Sequence, residues 1–460
     1  MGMAWAQPGK LFPPIRDDNP MSQFTLLGQR RFAPFFATQA LAAFNDNAFR
    51  YAMVGMATFE LALSHGALNS YVNLALALFI IPFFLLSASA GQLAEKFEKA
   101  RLIRYVKLFE IAAMLTAALG FWTRNLDLLL VVLCMMGVHS TVFGPIKYAI
   151  MPQVLETDEL TGGNGLIESS TSLAILAGSL TGNALMAVPD IGPTLAALTV
   201  IGVAVLGFLA SLGIPAAPAT APELKFNFNP FSETWRTLGQ VRRNRTVFHA
   251  VIGISWFWFF GATLTTQAPA YARDWLGGDA SVLNLVLVLF SVGIGVGSLA
   301  CEKLSARRVN PGLMPFGALG MTAAGIDLYF AHPHAAMTGG LDWLAFLQAT
   351  GSWHVALDLT LIGAFAGLYI VPLFALVQQR IEPRRLSRVI AGNNILNALF
   401  MVLAAALGIL APRLGLSVAG LITLVTIINV LVMIWLCWRV PEFWQRFLTW
   451  CRMRGASGEM

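Results

Sequence analysis

Twelve mostly apolar stretches of about 20 residues or more run almost back to back along this chain, and no other feature limits its folding as strongly. They fall at 33–62, 70–93, 102–122, 127–147, 163–188, 193–213, 246–272, 280–302, 312–331, 352–380, 387–411 and 416–439. A helix needs roughly 20 such residues to cross a bilayer, and lipid offers no partner to an open strand edge. The pattern therefore predicts an all-α polytopic membrane protein. Composition agrees: of 460 residues, 57% are apolar and 12% charged, about half the charge of a soluble domain. Too few polar side chains remain to coat a water-facing globule. The four cysteines (Cys134, Cys301, Cys437, Cys451) are scattered and form no CxxC, which argues against a disulfide scaffold, a zinc ribbon or an iron–sulfur site.

The basic residues test the count. With the N-terminus inside, 26 of the 30 Lys and Arg fall on the cytoplasmic side, and the outside loops hold only Arg124, Arg273 and Arg413, with Arg50 inside the first span. A wrong number of spans would scramble that bias, so twelve spans with both termini cytoplasmic are expected. The net charge of +6 then reads as a topology signal, and no nucleic-acid partner is expected. The first 30 residues, with four Pro and no sustained apolar run, read as a disordered cytoplasmic tail with no cleavable signal peptide.

The longest polar interruption, 214–245, follows the sixth span and is basic. It divides the chain into a tail (1–30), a six-helix half (31–213), a cytoplasmic linker (214–245), a second six-helix half (246–440) and an amphipathic tail (441–460). The halves echo each other. Gly91-Gln-Leu-Ala-Glu95 closes the second span and Gly297-Ser-Leu-Ala-Cys-Glu302 the eighth; Pro145 and Pro372 mark the fourth and tenth; Gly163-Asn164 and Gly392-Asn393 open the fifth and eleventh. Three matches in one order and orientation indicate a parallel repeat, the architecture of major facilitator transporters, with a site between the halves near the midplane. Gly178-x-x-x-Gly182 and Gly293-x-x-x-Gly297 let backbones approach, and the expectation is that the fifth and eighth helices use them to meet across the halves.

Charges inside spans are costly and usually functional. Phe44-Asn45-Asp46-Asn47-Ala-Phe-Arg50 places Asp46 13 residues into the first span, roughly 20 Å along its axis. Arg50 shares its face. One reading is an intrahelical ion pair that makes the helix insertable. The other is that Asp46 binds a cation or a substrate ammonium, with Asn45 and Asn47 as oxygen donors. Glu60, at the outer end, snorkels to water or lines a vestibule. Lys107 and Glu110 read as a local salt bridge. Glu168 is expected to pair with Lys147, or to touch substrate. In Ser255-Trp256-Phe-Trp258-Phe-Phe260, packing is the first reading and acyl-chain contact the second; Thr263, Thr266 and Gln267 follow on one face. Asp327 has no local partner, His354 and Asp358 share a face, and His332 and His334 form a weak HxH. There is no GxxxxGK[ST], GxSxG or HExxH, so no enzyme activity is expected.

Phe44-Asn-Asp-Asn47, Gly91-Gln-Leu-Ala-Glu95…Lys99-Ala-Arg101, Gly144-Pro-Ile-Lys147-Tyr148, Asn164-Gly-Leu-Ile-Glu168, Ser255-Trp-Phe-Trp258 and Val371-Pro-Leu-Phe-Ala-Leu-Val-Gln378 together resemble the bacterial lysophospholipid transporters of the major facilitator superfamily, over about residues 32–440. The resemblance implies inward flipping of lysophospholipids, chiefly lysophosphatidylethanolamine, across the inner membrane, followed by reacylation. The acyltransferase and acyl-carrier-protein ligase, fused to some relatives, would here be separate partners. Stand-alone relatives carry a basic residue where this chain has Thr265. The expected polar site is Asp46, Arg50, Glu168, Thr266 and Gln267, with Phe44, Trp256, Trp258 and Phe260 as its apolar flank. Alternating access would be latched by Gly91, Glu95 and Arg101 against Arg384–Arg388, with Lys147 beside them. A monomer among membrane lipids is expected, with no cofactor beyond a coupling cation, Na+ or H+. Two other readings compete: a cation-coupled facilitator for small amphipathic drugs or metabolites, and a membrane anchor that docks the acyltransferase through the linker and the tail.

Overall fold

The structure, a computed structural model, describes residues 22–331 and 340–457. Twelve long helices are the spans: α1 (Ala33–Gly55), α2 (His65–Lys96), α3 (Lys99–Trp122), α4 (Leu126–Val154), α5 (Leu160–Met186), α6 (Gly192–Leu212), α8 (Arg245–Ala270), α9 (Ala280–Leu304), α10 (Leu313–Phe330), α12 (Ser352–Arg380), α13 (Pro383–Leu410) and α14 (Val418–Arg439). Three more lie outside the bundle: α7 (Pro230–Arg242), α11 (Trp343–Gln348) and α15 (Pro441–Ser457). Short polar residues cap the starts: Asn125, Asn244 and Ser417 accept from the first-turn N–H groups of α4, α8 and α14, as helix N-termini require. Among the described residues nine helices are apolar and long enough to cross a membrane by composition alone. The other three spans, α1, α3 and α5, are the ones that carry Asp46, Lys107, Glu110 and Glu168.

The fold is a twelve-span bundle of two repeated six-helix sets. α2 packs on α4 in its own set and on α13 across; α9 packs likewise on α12 and across on α5. A mark of the repeat invisible in the sequence is that α1 and α8, the first span of each set, both end in a π-helical turn, Met56–Glu60 and Tyr271–Trp275.

The small-residue motifs do not meet as expected. A Cβ on Gly178 would stand 2.3 Å from the Phe44 carbonyl oxygen and one on Gly182 2.5 Å from that of Ala48, so this pair seats α5 on α1. Gly293 and Gly297 seat α9 on Thr360 and Ala364 of α12. Each motif closes its own half. The cross-half approach of α5 and α9 is made by Gly165, over the carbonyl of Ser298. Ser298 lies four residues before Glu302 as Gly91 lies four before Glu95, so the repeat runs through Ser298, and the extra residue turns Gly297 inward. A Cβ at Gly297 would fall 1.8 Å from the Ala364 carbonyl oxygen, a backbone atom that cannot step aside. We expect Gly297→Ala to abolish recovery of folded protein in fluorescence-detected gel filtration, whereas Gly202→Ala, with nothing within 4 Å, should leave it unchanged or slightly improved.

One face carries the α2–α3 turn, α7 and α15; we call it the basic face. The end of the expected disordered tail is ordered here: Gln23–Gly28 forms a short 3₁₀ helix with Gln23 and Leu26 buried. The Gln23 N–H donates to Glu302 (3.1 Å) and its amide to the Leu299 carbonyl (2.9 Å). The rest of that expectation, residues 1–21, lies outside the described residues, as do His332 and His334. The linker is a strap across the same face. Gln92 and Asn227 bond reciprocally, Lys96 donates to the Leu224 carbonyl, and Thr237 and Val241 of α7 pack over Gly392 of α13. α15 is helical as expected and docks through Phe443 and through Trp450, whose indole N–H donates to the Leu304 carbonyl (2.7 Å).

Candidate functional site

The charges of the first half converge on one buried network. Asp46 makes no ion pair with Arg50. Its Oδ2 accepts from Ser140 Oγ of α4 (2.8 Å), and its Oδ1 lies 3.9 Å from His139 Nδ1. His139 Nε2 is 3.1 Å from Glu110 Oε2. Glu110 accepts from the Asn45 amide (2.8 Å) and from Lys107, the local pair foreseen, fully buried on both sides. Gly207 of α6 makes room for the Lys107 ammonium. Asp46 Oδ1 has no hydrogen-bond partner among the described residues, while the side chain is 19% exposed. It is a carboxylate with one oxygen satisfied and the other buried without a partner among the described residues. Arg50 turns away to Asn47 Oδ1 (2.8 Å) and to the Tyr51 ring; Asn47 donates in turn to the Ala43 carbonyl. Asn47 is thus taken up by its neighbours, whereas Asn45 donates its amide to Glu110 and keeps a buried Oδ1 with no hydrogen-bond partner among the described residues.

Nearer the basic face the Lys147–Glu168 pair does not form. Tyr148 donates to Glu168 (2.6 Å), and Lys147 donates to Thr171 (2.9 Å), which donates to Gln39. The hydroxyl-rich face of α5 offers closer partners than the carboxylate. Tyr148 also stacks on Phe374 of the other half at 4.1 Å, and Gln378 bonds Asn164 and the Tyr148 carbonyl. At the basic face itself, Arg388 binds Glu95 through Nε (2.6 Å) and through its backbone N–H (3.2 Å). Gly91 backs directly on Ala391 and Arg388. Arg101 takes no part, pairing with Glu98 in solvent, and Arg384 meets Glu223 of the linker. Glu60 pairs with Arg124 (3.1 Å) at the opposite face.

In the second half Trp256 is buried and donates to Asn429 (2.8 Å), so it packs rather than lines a cavity. Trp258 is half-buried, its indole N–H 3.2 Å from the Asn397 oxygen, and Asn397 also bonds Ser255. Thr266 donates to its own helix, and Gln267 lies against Gly408 of α13. Thr265 is the residue that faces the other half. It shares a cleft with Tyr51, Ser179 and Asn183 of the first half and Asn284 and Leu287 of the second. One residue along a helix is a turn of about 100°, enough to exchange Thr266 for Thr265. The halves are joined at the basic face, and away from it a cleft of mixed amide, hydroxyl and leucine lining lies between them. The sequence reading missed His139, Ser140 and Tyr148. Depth was the available signal for the first two: His139 stands 13 residues into α4, as Asp46 does into α1.

The sequence profile of the Major Facilitator Superfamily matches residues 35–347. The lysophospholipid transporter LplT of Enterobacter sp. (strain 638) is 30% identical over 392 residues, covering 84% of this chain and 89% of that one. Its counterpart in Cronobacter sakazakii is 29% identical over 406 residues, 86% and 92% of the two chains. The fold is similar to the E. coli fucose:proton symporter FucP, with a TM-score of 0.65 at 14% identity over 89% of this chain and 99% of that one. The chain belongs to the lysophospholipid transporter family of the major facilitator superfamily.

Proposed function

We propose that this protein moves lysophospholipids, chiefly lysophosphatidylethanolamine, across a bacterial inner membrane into the cytoplasmic leaflet for reacylation. The observation that carries this reading is the mixed lining of the cleft between the halves, together with the names borne by its relatives. A lysophospholipid has a zwitterionic head and one acyl chain, so its carrier needs polar groups beside an apolar wall. Leu176, Leu180, Leu283 and Leu287 offer the wall, and Tyr51, Asn183, Thr265 and Asn284 the polar rim. Asp46, whose side chain is partly exposed, would take the ammonium. Arg50 would take the phosphate, since Thr265 brings no charge and bonds its own helix at the Gly261 carbonyl (2.9 Å). A charge-assisted contact to each end of the head group would fix its orientation.

In this reading the basic face is cytoplasmic, with both termini there, and the cleft opens to the periplasmic side. Release inward needs the Glu95–Arg388 contact to part while the outer ends close, the rocking of one half against the other. Asp46, beside His139, is also the place for a coupling cation, Na+ or H+. The test is uptake of labelled lysophosphatidylethanolamine by proteoliposomes holding the full chain. We expect saturable movement to the inner leaflet, competed by unlabelled lysophospholipid. Absence of movement, with transport of a compact amphipathic cation instead, would favour a drug facilitator; absence of both would favour an anchor.

A further inference from the structure

At the face opposite the basic one stands a second cluster, whose residues are not among those lining the substrate cleft. Asp327, near the end of α10, and His354 and Asp358, in the first two turns of α12, turn one ligand atom each towards a common point, all within 4.8 Å of one another. His354 Nε2 is 2.9 Å from Asp327 Oδ2 and 3.8 Å from Asp358 Oδ2. One imidazole nitrogen carries at most one hydrogen, and the shorter contact takes it. Asp358 is left 2% exposed, with its Oδ2 facing the cluster and no hydrogen-bond partner among the described residues. No Lys or Arg among the described residues pairs with it; its one charged contact is His354. Even a protonated His354 would leave two carboxylates facing one positive charge. A buried carboxylate in that state calls for a cation.

We propose that Asp327, His354 and Asp358 form a binding site for a divalent ion of the zinc class. Three atoms bonded to Zn²⁺ at 2.0–2.1 Å in a tetrahedron lie about 3.3 Å apart. The two spacings from His354, 2.9 and 3.8 Å, bracket that value, and the two carboxylates stand within 4.8 Å of each other. One imidazole with two carboxylates suits a borderline ion. Three protein ligands are too few for Ca²⁺, and Mg²⁺ does not favour nitrogen. Access is from solution, because Asp327 and His354 are 54% and 40% exposed while Asp358 closes the site from beneath. The hydroxyl of Tyr271, on the π turn after α8, is also buried without a partner among the described residues and stands within electrostatic reach of Asp358. The ligands come from two helices of one half, so the ion would pin α10 to α12 without bridging the halves. Binding can therefore be read apart from lipid transport.

The experiment is calorimetric titration of Zn²⁺ into the chelator-treated full chain in detergent, with thermal unfolding in parallel. The expected result is one saturable site per chain and a Tm raised by bound ion. Asp358→Asn and Asp327→Asn should each weaken binding roughly tenfold or more, while His332→Ala/His334→Ala leaves it unchanged. Asp327 is exposed, so its variant should fold even if the Asp358 variant does not. Absence of saturable binding overturns the proposal. So does binding that survives Asp327→Asn, or that disappears with the His332/His334 pair.

Discussion

Asp46→Asn is expected to cut lysophosphatidylethanolamine uptake about ten- to a hundredfold, the range set by losing one charge-assisted contact worth about 1.5–3 kcal/mol. The folded protein should be recovered at normal yield. The reason lies in the wiring of the network. Asparagine has nearly the shape of aspartate and keeps an oxygen for the Ser140 hydroxyl (2.8 Å in the native chain). What it loses is the charge on Oδ1, the atom that no described residue satisfies. Two carboxylates, Asp46 and Glu110, face one ammonium, Lys107, with His139 between them. The cluster is therefore one positive charge short unless His139 is protonated or a ligand arrives. In the proposed function a substrate ammonium or a coupling cation would meet that deficit at Asp46, which is partly exposed, and not at Glu110, which is fully buried.

Glu110 supplies the control. Glu110→Gln leaves Lys107 buried without its counter-charge, and breaking such a pair costs about 3–5 kcal/mol. Its expected signature is lost yield rather than a clean transport defect. Uptake at the native rate by Asp46→Asn would remove Asp46 from the site. Native uptake by Glu110→Gln at full yield would remove the network from the account of the fold.

The twelve spans were legible because apolar length and basic-residue placement are both one-dimensional signals. α1, α3 and α5 show where apolarity alone stops. Their polar groups keep them out of the nine helices that length and apolar composition identify; the looser reading of apolar stretches kept them in, and the alternation of basic loops supports that count. What the sequence could not reveal is which partner each buried charge takes. Spacing along a helix proposed Arg50 for Asp46; tertiary packing supplied Ser140 and His139, more than 90 residues away. Lys147 and Glu168 sit near each other yet each found a hydroxyl, because Thr171 and Tyr148 are better aligned. The GxxxG motifs announced close approach correctly but carry no information on which helix approaches. The Glu95–Arg388 contact was the exception: a charged loop after α2 and a charged start to α13 proposed each other across the halves.

That contact carries the other large expected effect. Glu95 is fully buried and Arg388 nearly so, and the Glu95 carbonyl also accepts from the N–H groups of Thr220 and Ala221 in the linker (3.0 and 2.9 Å). Glu95→Ala would leave Arg388 buried and unpaired in the closed state only, because parting the halves returns it to water. The cost of about 3–5 kcal/mol then falls on one side of the equilibrium, shifting the closed-to-open ratio at the basic face by roughly two to four powers of ten. Spin labels at Phe97 and Arg385, both exposed, would read this as a short distance replaced by a long one. A buried ion pair is itself a poor source of stability, since its desolvation offsets its attraction. Glu95→Met/Arg388→Met should therefore restore the short distance while abolishing uptake, because the methionine pair, unlike the ion pair, gains no hydration when the halves part. If the single variant keeps the native distance, the pair does not hold the closed state. If the double variant transports normally, the charges are not what lets it open.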